Sequence, residues 1–188
     1  ESWHGKGRNR YVITPRFAIS CSTEQLIAAG RLHEQYPGTY IQTHLSENKD
    51  EIDSTLSLCP DCQDYLEVYE RARLVTDRSI FGHCIHLSDS ECRRLVEAGS
   101  VVAHCPTSNL FLGSGLFDMQ QANRVGMQTV LATDIGAGTS FSMLRTMGEA
   151  YKVQQLGGYP MSVFESLYKC TLGAAKACLL YTSDAADE

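Results

Sequence analysis

The sequence has no apolar run long enough to cross a membrane. None of its stretches approaches the ~20 consecutive apolar residues that a membrane helix needs. The N-terminal segment, from Glu1 to Arg10, is polar and basic where a secretory signal would carry an apolar core. We therefore expect no membrane partner, and the cytoplasm is the expected compartment.

Positive charge is also scarce. The 188 residues include 16 Lys and Arg against 22 Asp and Glu, a formal net charge of -6, and no long basic run occurs. Proteins that bind nucleic acids usually contact the phosphates through clusters of Lys and Arg. The composition therefore argues against a nucleic-acid partner, and a small-molecule substrate fits better. The 43% of hydrophobic residues is enough for a core, which excludes a disordered or fibrous chain.

A complete cysteine metal motif is absent as well. Cys59-Pro-Asp-Cys62 has the spacing of a metal knuckle or redox motif, but no second Cys pair or nearby Cys/His pair completes a tetrahedral set. We expect a plain loop there. Other cysteines occur singly, several of them within apolar runs, and we expect buried free thiols rather than disulfides at Cys21, Cys84, Cys92, Cys105 and Cys170.

Strand-like and helical runs alternate along the chain. Short β-rich runs predict strands over residues 11–14, 39–44, 79–83, 100–104 and 128–132. The remaining segments predict helices over 23–35, a charged stretch interrupted near Cys59 and Pro60, 88–98, 115–123, and two more from about Ser140 and Met161. Ser22 with Gln25, and Ser88 with Glu91, have the capping-box spacing ahead of two of these helices.

This alternation is typical of a parallel sheet covered by helices, so the predicted fold class is α/β. The run Ser-Val-Val-Ala-His at 100–104 is continuously apolar before its histidine, as expected for a strand buried on both faces. Five strand–helix units are present, whereas a complete TIM (β/α)8 barrel takes roughly 250 residues. We predict a partial TIM barrel, with an open five-stranded sheet as the structural alternative.

Polar side chains stand at or just beyond the predicted strand ends, at Arg16, His44, His83, His104 and Asp134. In a barrel these ends converge on the face where active sites are built. His44 and Asp134 offer an imidazole nitrogen and a carboxylate, a ligand pair suited to zinc, which could activate water at neutral pH. A single strand-end histidine is more often structural, and the set as a whole favours a site.

Three further residues near these ends have alternative interpretations. Glu47 follows His44 by three residues, so a turn could aim its carboxylate at a substrate as a proton shuttle. Its alternative place is the first turn of the next helix, where the helix dipole favours acidic residues. His83 ends its strand cleanly and is preferred over His86. His104 is only a supporting candidate, since the Cys-Pro-Thr-Ser-Asn turn after it offers partners for a structural imidazole.

Five motifs of this sequence occur together in one order: Ile-Thr-Pro-Arg-Phe at 13–17, Gln-Thr-His-Leu-Ser-Glu-Asn at 42–48, Phe-Gly-His at 81–83, Ala-His-Cys-Pro-Thr-Ser-Asn at 103–109 and Ala-Thr-Asp-Ile-Gly-Ala-Gly at 132–138. From about Trp3 to Ala177 the chain resembles the guanine deaminases of the amidohydrolase superfamily. The His and Asp motifs indicate only the superfamily. The Thr-Pro-Arg-Phe segment narrows the resemblance to guanine deaminases.

The resemblance implies a zinc-dependent hydrolytic deamination of guanine to xanthine and ammonia by the parent protein, with a homodimer as a family expectation. It implies that His44 and Asp134 are zinc ligands, and that Asp134 also takes a proton from the attacking water. By the same resemblance Glu47 protonates the purine ring, and His83 polarises or steadies the bound water. The residues implied to contact the substrate are Arg16, Phe17, His44, Glu47 and Asp134.

The sequence also departs from the family pattern. The paired His-x-His ligands of the family belong to its first barrel strand, and His4 has no second histidine two residues away. Residues 1–177 are therefore predicted to be the C-terminal part of the barrel, roughly its last five units. Residues 178–188 resemble a translated sequencing adapter. The alternatives are a relative acting on another amino-purine or a triazine, and a catalytically inert truncated product.

Overall fold

The computed structural model describes residues 2–7 and 9–180. In this part of the chain, five strands form one parallel sheet in sequence order: β1 (Val12–Ile13), β2 (Tyr40–Leu45), β3 (Ser79–His83), β4 (Val101–His104) and β5 (Gln128–Leu131). Right-handed crossovers that always advance in one direction place their helices on one side of the sheet. An open doubly wound sheet instead reverses its order at a switch point. The structure therefore has the topology of a barrel segment, as predicted, and not of the open alternative.

The helices agree with the sequence pattern in most places. They are α1 (Thr23–Gln35), α2 (Lys49–Leu58), α3 (Tyr65–Arg71), α4 (Asp89–Glu97), α5 (Pro106–Leu112), α6 (Met119–Val125), α7 (Met143–Leu156), α8 (Val163–Cys170) and α9 (Leu172–Ala177). The capping box of Ser88 and Glu91 is confirmed, since each side chain bonds the backbone N–H of the other residue. Ser22 caps α1 by accepting from the N–H of Gln25.

Two helix predictions were wrong around α5 and α6. The segment after His104 was predicted to be a turn, whereas it forms α5, with Pro106 in its first turn and Gly113 as its left-handed C-cap. Proline near a helix start and glycine just past its end are the signal that was missed. The next helix was predicted from residue 115 but begins only at Met119, because the side chain of Asp118 is its N-cap.

The core lies between the sheet and its helices. Alternate strand residues such as Ile41, Phe81 and Leu131 are fully or almost fully buried there against helix side chains. On the opposite face, Val101 and Val130 belong to a second cluster that includes alanines of α9. All four residues of β4 are buried, which confirms the prediction of a strand covered on both faces.

Two further expectations concern the cysteines and the C-terminus. Cys59 and Cys62 lie in the loop between α2 and α3, where the N–H of Cys62 donates to the carbonyl of Cys59 at 3.0 Å. All eight cysteines are free thiols, and Cys84, Cys92 and Cys105 are buried. The predicted appended tail lies outside the described residues from residue 181 onward. No helix in the described part of the chain is both long and apolar enough to cross a membrane.

The packing of α1 gives a stability prediction. A Cβ added at Gly30 would lie 1.9 Å from the carbonyl oxygen of Ala72, so Gly30→Ala forces two backbone segments apart. We expect it to destabilise the fold by about 1–3 kcal/mol. Gly148, in the middle of α7, has nothing within 4 Å of that position. Gly148→Ala is therefore the matched control and should stabilise by about 0.5–1 kcal/mol. Urea unfolding of both variants and of the unaltered protein measures the two changes in unfolding free energy, which should have opposite signs. A Gly30→Ala variant as stable as the unaltered protein would contradict the packing.

Candidate active site

Three polar side chains converge where the strands end. His44 lies near the end of β2, His83 is the last residue of β3, and Asp134 follows β5. One potential ligand atom from each of them lies within 4.8 Å of the others. The two imidazoles are stacked, with ring centroids 5.0 Å apart and 24° between their planes. The sheet thus brings together residues that are far apart in sequence.

The backbone at these strand ends is unusual. His83 has φ 69°, Cys84 has φ 54° and Asp134 has φ 46°, all in the left-handed region that non-glycine residues seldom adopt. Strict alternation from the buried Phe81 would point His83 toward the helices. Its left-handed conformation turns the chain at the strand end, and such strain is concentrated at functional sites.

The loop after β5 is held closed by a glycine. The N–H of Gly138 donates to the carbonyl of Asp134 at 2.6 Å. A Cβ at Gly138 would lie 1.7 Å from the carbonyl oxygen of Thr133, so only glycine fits this approach. The hydroxyl of Thr107 donates to the same carbonyl at 3.3 Å. These contacts fix the segment from which the Asp134 carboxylate extends.

Both site histidines are oriented by an oxygen acceptor. Nδ1 of His44 lies 2.6 Å from the carbonyl oxygen of Arg16, which can only accept, so this nitrogen carries the proton. Nδ1 of His83 lies 2.8 Å from Oδ1 of Asn109. In His44 the lone pair is therefore on Nε2. Histidine ligands of metals usually have this arrangement, in which the second nitrogen donates to a carbonyl or carboxamide.

The donor set fits a zinc ion. Two imidazole nitrogens and one carboxylate are ligands that zinc takes, with bonds of about 2.0–2.2 Å. Nε2 of His83 lies 3.6 Å from Oε2 of Glu47 and 4.0 Å from Oδ2 of Asp134. These separations are longer than normal hydrogen bonds, so the groups face one another across a space instead of bonding directly.

Glu47 stands between the strand and the next helix. It precedes Asn48, which caps α2 through its side chain, so the alternative that placed Glu47 in the first helical turn is wrong. Oε1 of Glu47 accepts from the hydroxyl of Ser114 at 3.2 Å, while Oε2 faces His83. The side chain is only 15% exposed. We call His44, His83 and Asp134 the candidate metal group. The Glu47 carboxylate is therefore held at the edge of this group.

Arg16 and Phe17 adjoin the same group. The Phe17 ring centroid is 5.8 Å from that of His44, with the planes tilted by 52°. The Arg16 guanidinium lies over the Phe17 ring at 5.1 Å, a cation–π contact. A substrate other than guanine would be favoured if Arg16 and Phe17 lay far from His44. Both residues instead lie next to it. Phe17 is half-buried and Arg16 is exposed, so both remain accessible to a ligand.

The two other histidines considered for the site, His86 and His104, do not join the candidate metal group. His104 is fully buried, stacks on Phe117 at 4.7 Å, and has no hydrogen-bond partner on either nitrogen. The expectation that the next segment would satisfy its imidazole was wrong, because that segment is helix α5 and its Asn109 bonds His83 instead. Burial lowers the pKa of His104 to about 3, so the ring is neutral. His86 donates from Nε2 to the carbonyl of Ser114 at 2.9 Å.

Sequence reasoning did not assign Asn109 or Ser114, although both hold site residues. Asn109 is the last residue of the Ala-His-Cys-Pro-Thr-Ser-Asn motif, and its position soon after His104 at the end of a strand was the available signal. Ser114 lies in the Gly-Ser-Gly segment after α5 and gave no signal of its own.

A parallel barrel segment with histidines and an aspartate at the carboxyl ends of its strands is the arrangement of a metal-binding barrel protein. Residues 1–183 match the sequence profile described as Amidohydrolase family. The chain belongs to the amidohydrolase family.

Several guanine deaminases are similar to this chain. Guanine deaminase of Escherichia coli (strain K12) is 52% identical over 177 residues, which cover 94% of this chain and 40% of that protein. The probable guanine deaminase of Deinococcus radiodurans is 43% identical, with 94% of this chain and 41% of that protein covered. The chain thus spans about 40% of the length of the curated relatives it matches.

Solved structures agree with these sequence relatives. The E. coli guanine deaminase structure superposes with a TM-score of 0.93 at 51% identity, covering 95% of this chain and 42% of that chain. A guanine deaminase from C. acetobutylicum with guanine bound in its active site has a TM-score of 0.81 at 34% identity, covering 87% and 41%. These similarities confirm the predicted partial barrel fold.

Proposed function

We propose that the parent protein of this chain deaminates guanine hydrolytically, giving xanthine and ammonia. The observation that carries the proposal is the contact of Arg16 and Phe17 with the candidate metal group, beside a held Glu47. The similarity to guanine deaminases, one of them with bound guanine, supports the same substrate. The proposed substrate is therefore a free small molecule.

We propose that His44 and Asp134 hold a zinc ion together with ligands from the rest of the parent protein. The orientation of the His44 ring by the Arg16 carbonyl supports this role, because it leaves Nε2 free to bind. Zinc, when bound, lowers the pKa of water enough to supply hydroxide at neutral pH. His83 belongs to the same three-residue group, but it is assigned to the attacking water, so His44 and Asp134 need further ligands from the parent to reach the three protein donors of a zinc site.

The residues around this group have complementary tasks in the proposed reaction. Asp134 takes the proton from the attacking water, and Glu47 delivers a proton to the purine ring. Ring protonation makes the amino-bearing carbon electrophilic, so that the water oxygen bonds to it. The proton held by Asp134 then passes to the amino group, which leaves as ammonia when its bond to the carbon breaks. The proton of the new hydroxyl returns to Glu47, so that the ring carbonyl of xanthine forms and both carboxylates are restored. His83 faces both carboxylates from a buried position, where it can hydrogen-bond the attacking oxygen.

Recognition of the base is assigned to Arg16 and Phe17. The Phe17 ring offers a face on which a purine can stack. The Arg16 guanidinium presents planar N–H donors that match the acceptor atoms of guanine. His44, Glu47 and Asp134 are also proposed to contact the bound base, because they surround the place where its reacting carbon would lie.

The test requires the complete enzyme, from the full gene or with residues 1–177 in place of the matching segment of E. coli guanine deaminase. We expect the purified zinc-loaded protein to convert guanine into stoichiometric xanthine and ammonia. A zinc chelator should abolish the activity and added zinc should restore it. Adenine and a triazine are the comparison substrates, and no xanthine from the metal-loaded protein overturns the assignment. From the isolated 188-residue chain we expect no turnover.

Three further assignments for the parent remain proposals. The cytoplasm is the proposed compartment, and the free thiols support a reducing environment. A homodimer is the proposed assembly, which light scattering of the complete enzyme would test. Residues 1–177 are proposed as native barrel and 178–188 as appended adapter sequence, and the encoding DNA would contradict this if the natural reading frame continued through it.

A further inference from the structure

A buried polar network lies behind the candidate active site. The hydroxyl of Tyr65 donates to Oε1 of Glu51 at 2.7 Å, and the N–H of Ala18 donates to the same hydroxyl at 3.3 Å. Oε2 of Glu51 accepts from the N–H of Glu47 at 2.9 Å and of Asn48 at 3.4 Å. Tyr65 is 1% exposed and Glu51 is 6% exposed. Water is therefore largely kept away from these hydrogen bonds.

The network joins two segments with different proposed tasks. Ala18 directly follows Arg16 and Phe17, which we call the base-recognition segment. Glu51 holds the backbone of Glu47, in the connection between β2 and α2 that we call the proton-transfer loop. Tyr65, on α3, is the group between them. A capping glutamate alone would bond only the N-cap N–H of its own helix. The extra contacts of Glu51 with Glu47 and Tyr65 go beyond that role.

A second tyrosine ties the same network to the metal group. The hydroxyl of Tyr69 donates to the carbonyl of His44 at 2.8 Å, lies 3.0 Å from Oγ1 of Thr43, and stands 3.4 Å from the Tyr65 hydroxyl. Thr43 in turn donates to the carbonyl of Arg16 at 3.2 Å. The base-recognition segment, the metal ligand and the proton-transfer loop are thus linked through α3.

We propose that Tyr65 and Glu51 are positioning residues, whose hydrogen bond fixes the base-recognition segment relative to Glu47. This inference rests on the proposed function. Neither residue needs to touch the substrate. Together they set where the ring of a guanine held by Phe17 lies relative to the carboxylate that protonates it, and small errors in such placement are costly to the rate.

The protonation of Tyr65 agrees with this role. Burial raises the pKa of Tyr65, and the neighbouring Tyr69 and Glu51 raise it further. The hydroxyl therefore keeps its proton and remains the donor in its hydrogen bond to Oε1 of Glu51.

The test replaces Tyr65 by Phe in the complete enzyme, which removes one oxygen and keeps the ring. We expect kcat/KM for guanine to fall roughly 10- to 100-fold, with KM raised and kcat lowered, while zinc content stays unchanged. Glu51→Gln is the second variant and should fall by a similar factor. In that variant the single side-chain oxygen at position 51 is needed by the N–H groups of Glu47 and Asn48, so the new NH2 group faces the Tyr65 hydroxyl, which then has no acceptor there. Both changes therefore lose the same Tyr65-to-Glu51 bond, and the double variant should lose little more than the worse single variant.

Tyr159→Phe is the matched control. Its hydroxyl also donates to a glutamate, Glu165, at 2.8 Å and accepts an N–H, from Asn123, at 2.8 Å, but Tyr159 lies in the loop between α7 and α8. All variants are assayed below their melting temperatures, and the Tyr159→Phe enzyme should then keep the kcat/KM of the unaltered enzyme. If Tyr65→Phe and Glu51→Gln lower only the melting temperature, as the control does, the positioning role is overturned. If the unaltered enzyme does not deaminate guanine, the proposed function itself fails, and the inference with it.

Discussion

Replacing Glu47 by Gln in the complete enzyme is expected to lower kcat for guanine by about 10²- to 10⁴-fold. Gln keeps the size of the side chain and an oxygen that can accept from Ser114, but it has no proton to deliver to the purine ring. The carboxylate is 3.6 Å from His83 and is not part of the metal group of His44, His83 and Asp134. Zinc content should therefore remain at the parental value, and KM should change little.

The measurement is steady-state xanthine production together with metal analysis of the same preparation. Glu34→Gln is the control, since Glu34 is on the surface of α1 and pairs there with Arg73. It should retain full activity, because a surface ion pair contributes little. A Glu47→Gln enzyme that kept near-parental kcat would remove Glu47 from the proposed chemistry. Loss of zinc together with activity would instead make it a metal-site residue.

The fold could be predicted largely from sequence because its signals are local. The strand over Ser79–His83 and the helix over Thr23–Gln35 have the predicted bounds, since apolar periodicity and side-chain caps both mark them. The error at α5 arose where two interpretations of Cys-Pro-Thr-Ser-Asn competed. Proline and small polar residues favour a turn when read alone, and a helix start when Gly113 is taken with them.

The candidate site was predictable only as a set of strand ends. That His44, His83 and Asp134 meet follows from parallel strands, because their carboxyl ends lie at the same edge. What fixes their orientation comes from elsewhere in the sequence: the Arg16 carbonyl for His44 and the Asn109 amide for His83. A backbone carbonyl has no sequence signature, so these contacts require the tertiary structure.

The left-handed backbone of His83 and Asp134 was equally out of reach. Sequence patterns place positive φ first at glycine, and although His and Asp adopt it more often than most residues, nothing in the sequence marks these two positions for it. The same holds for the Tyr65–Glu51 hydrogen bond. Apolar periodicity marks Tyr65 as a core residue of α3, but it does not show that the hydroxyl bonds a carboxylate on another helix.

Replacing Asp134 by Asn is expected to affect both the metal and the chemistry. Removing the charge of a proposed ligand weakens zinc binding, so the purified variant should contain well under the parental amount. Activity should fall by at least about 10³-fold. The left-handed φ of 46° at this position is tolerated by asparagine at least as well as by aspartate, so the backbone itself should not be disturbed.

Excess zinc separates the two proposed roles of Asp134. Asn keeps an oxygen that can still coordinate, so a high zinc concentration should refill the site, as metal analysis would show. The refilled variant should nevertheless stay slow, because a carboxamide cannot take the proton from the attacking water. Asp53→Asn, at an exposed position of α2, is the control and should match the parent in both measurements. Full recovery of the rate in zinc-refilled Asp134→Asn would leave Asp134 as a ligand only and assign the proton transfer to another group, such as His83, whose Nε2 lies 4.0 Å from Oδ2 of Asp134.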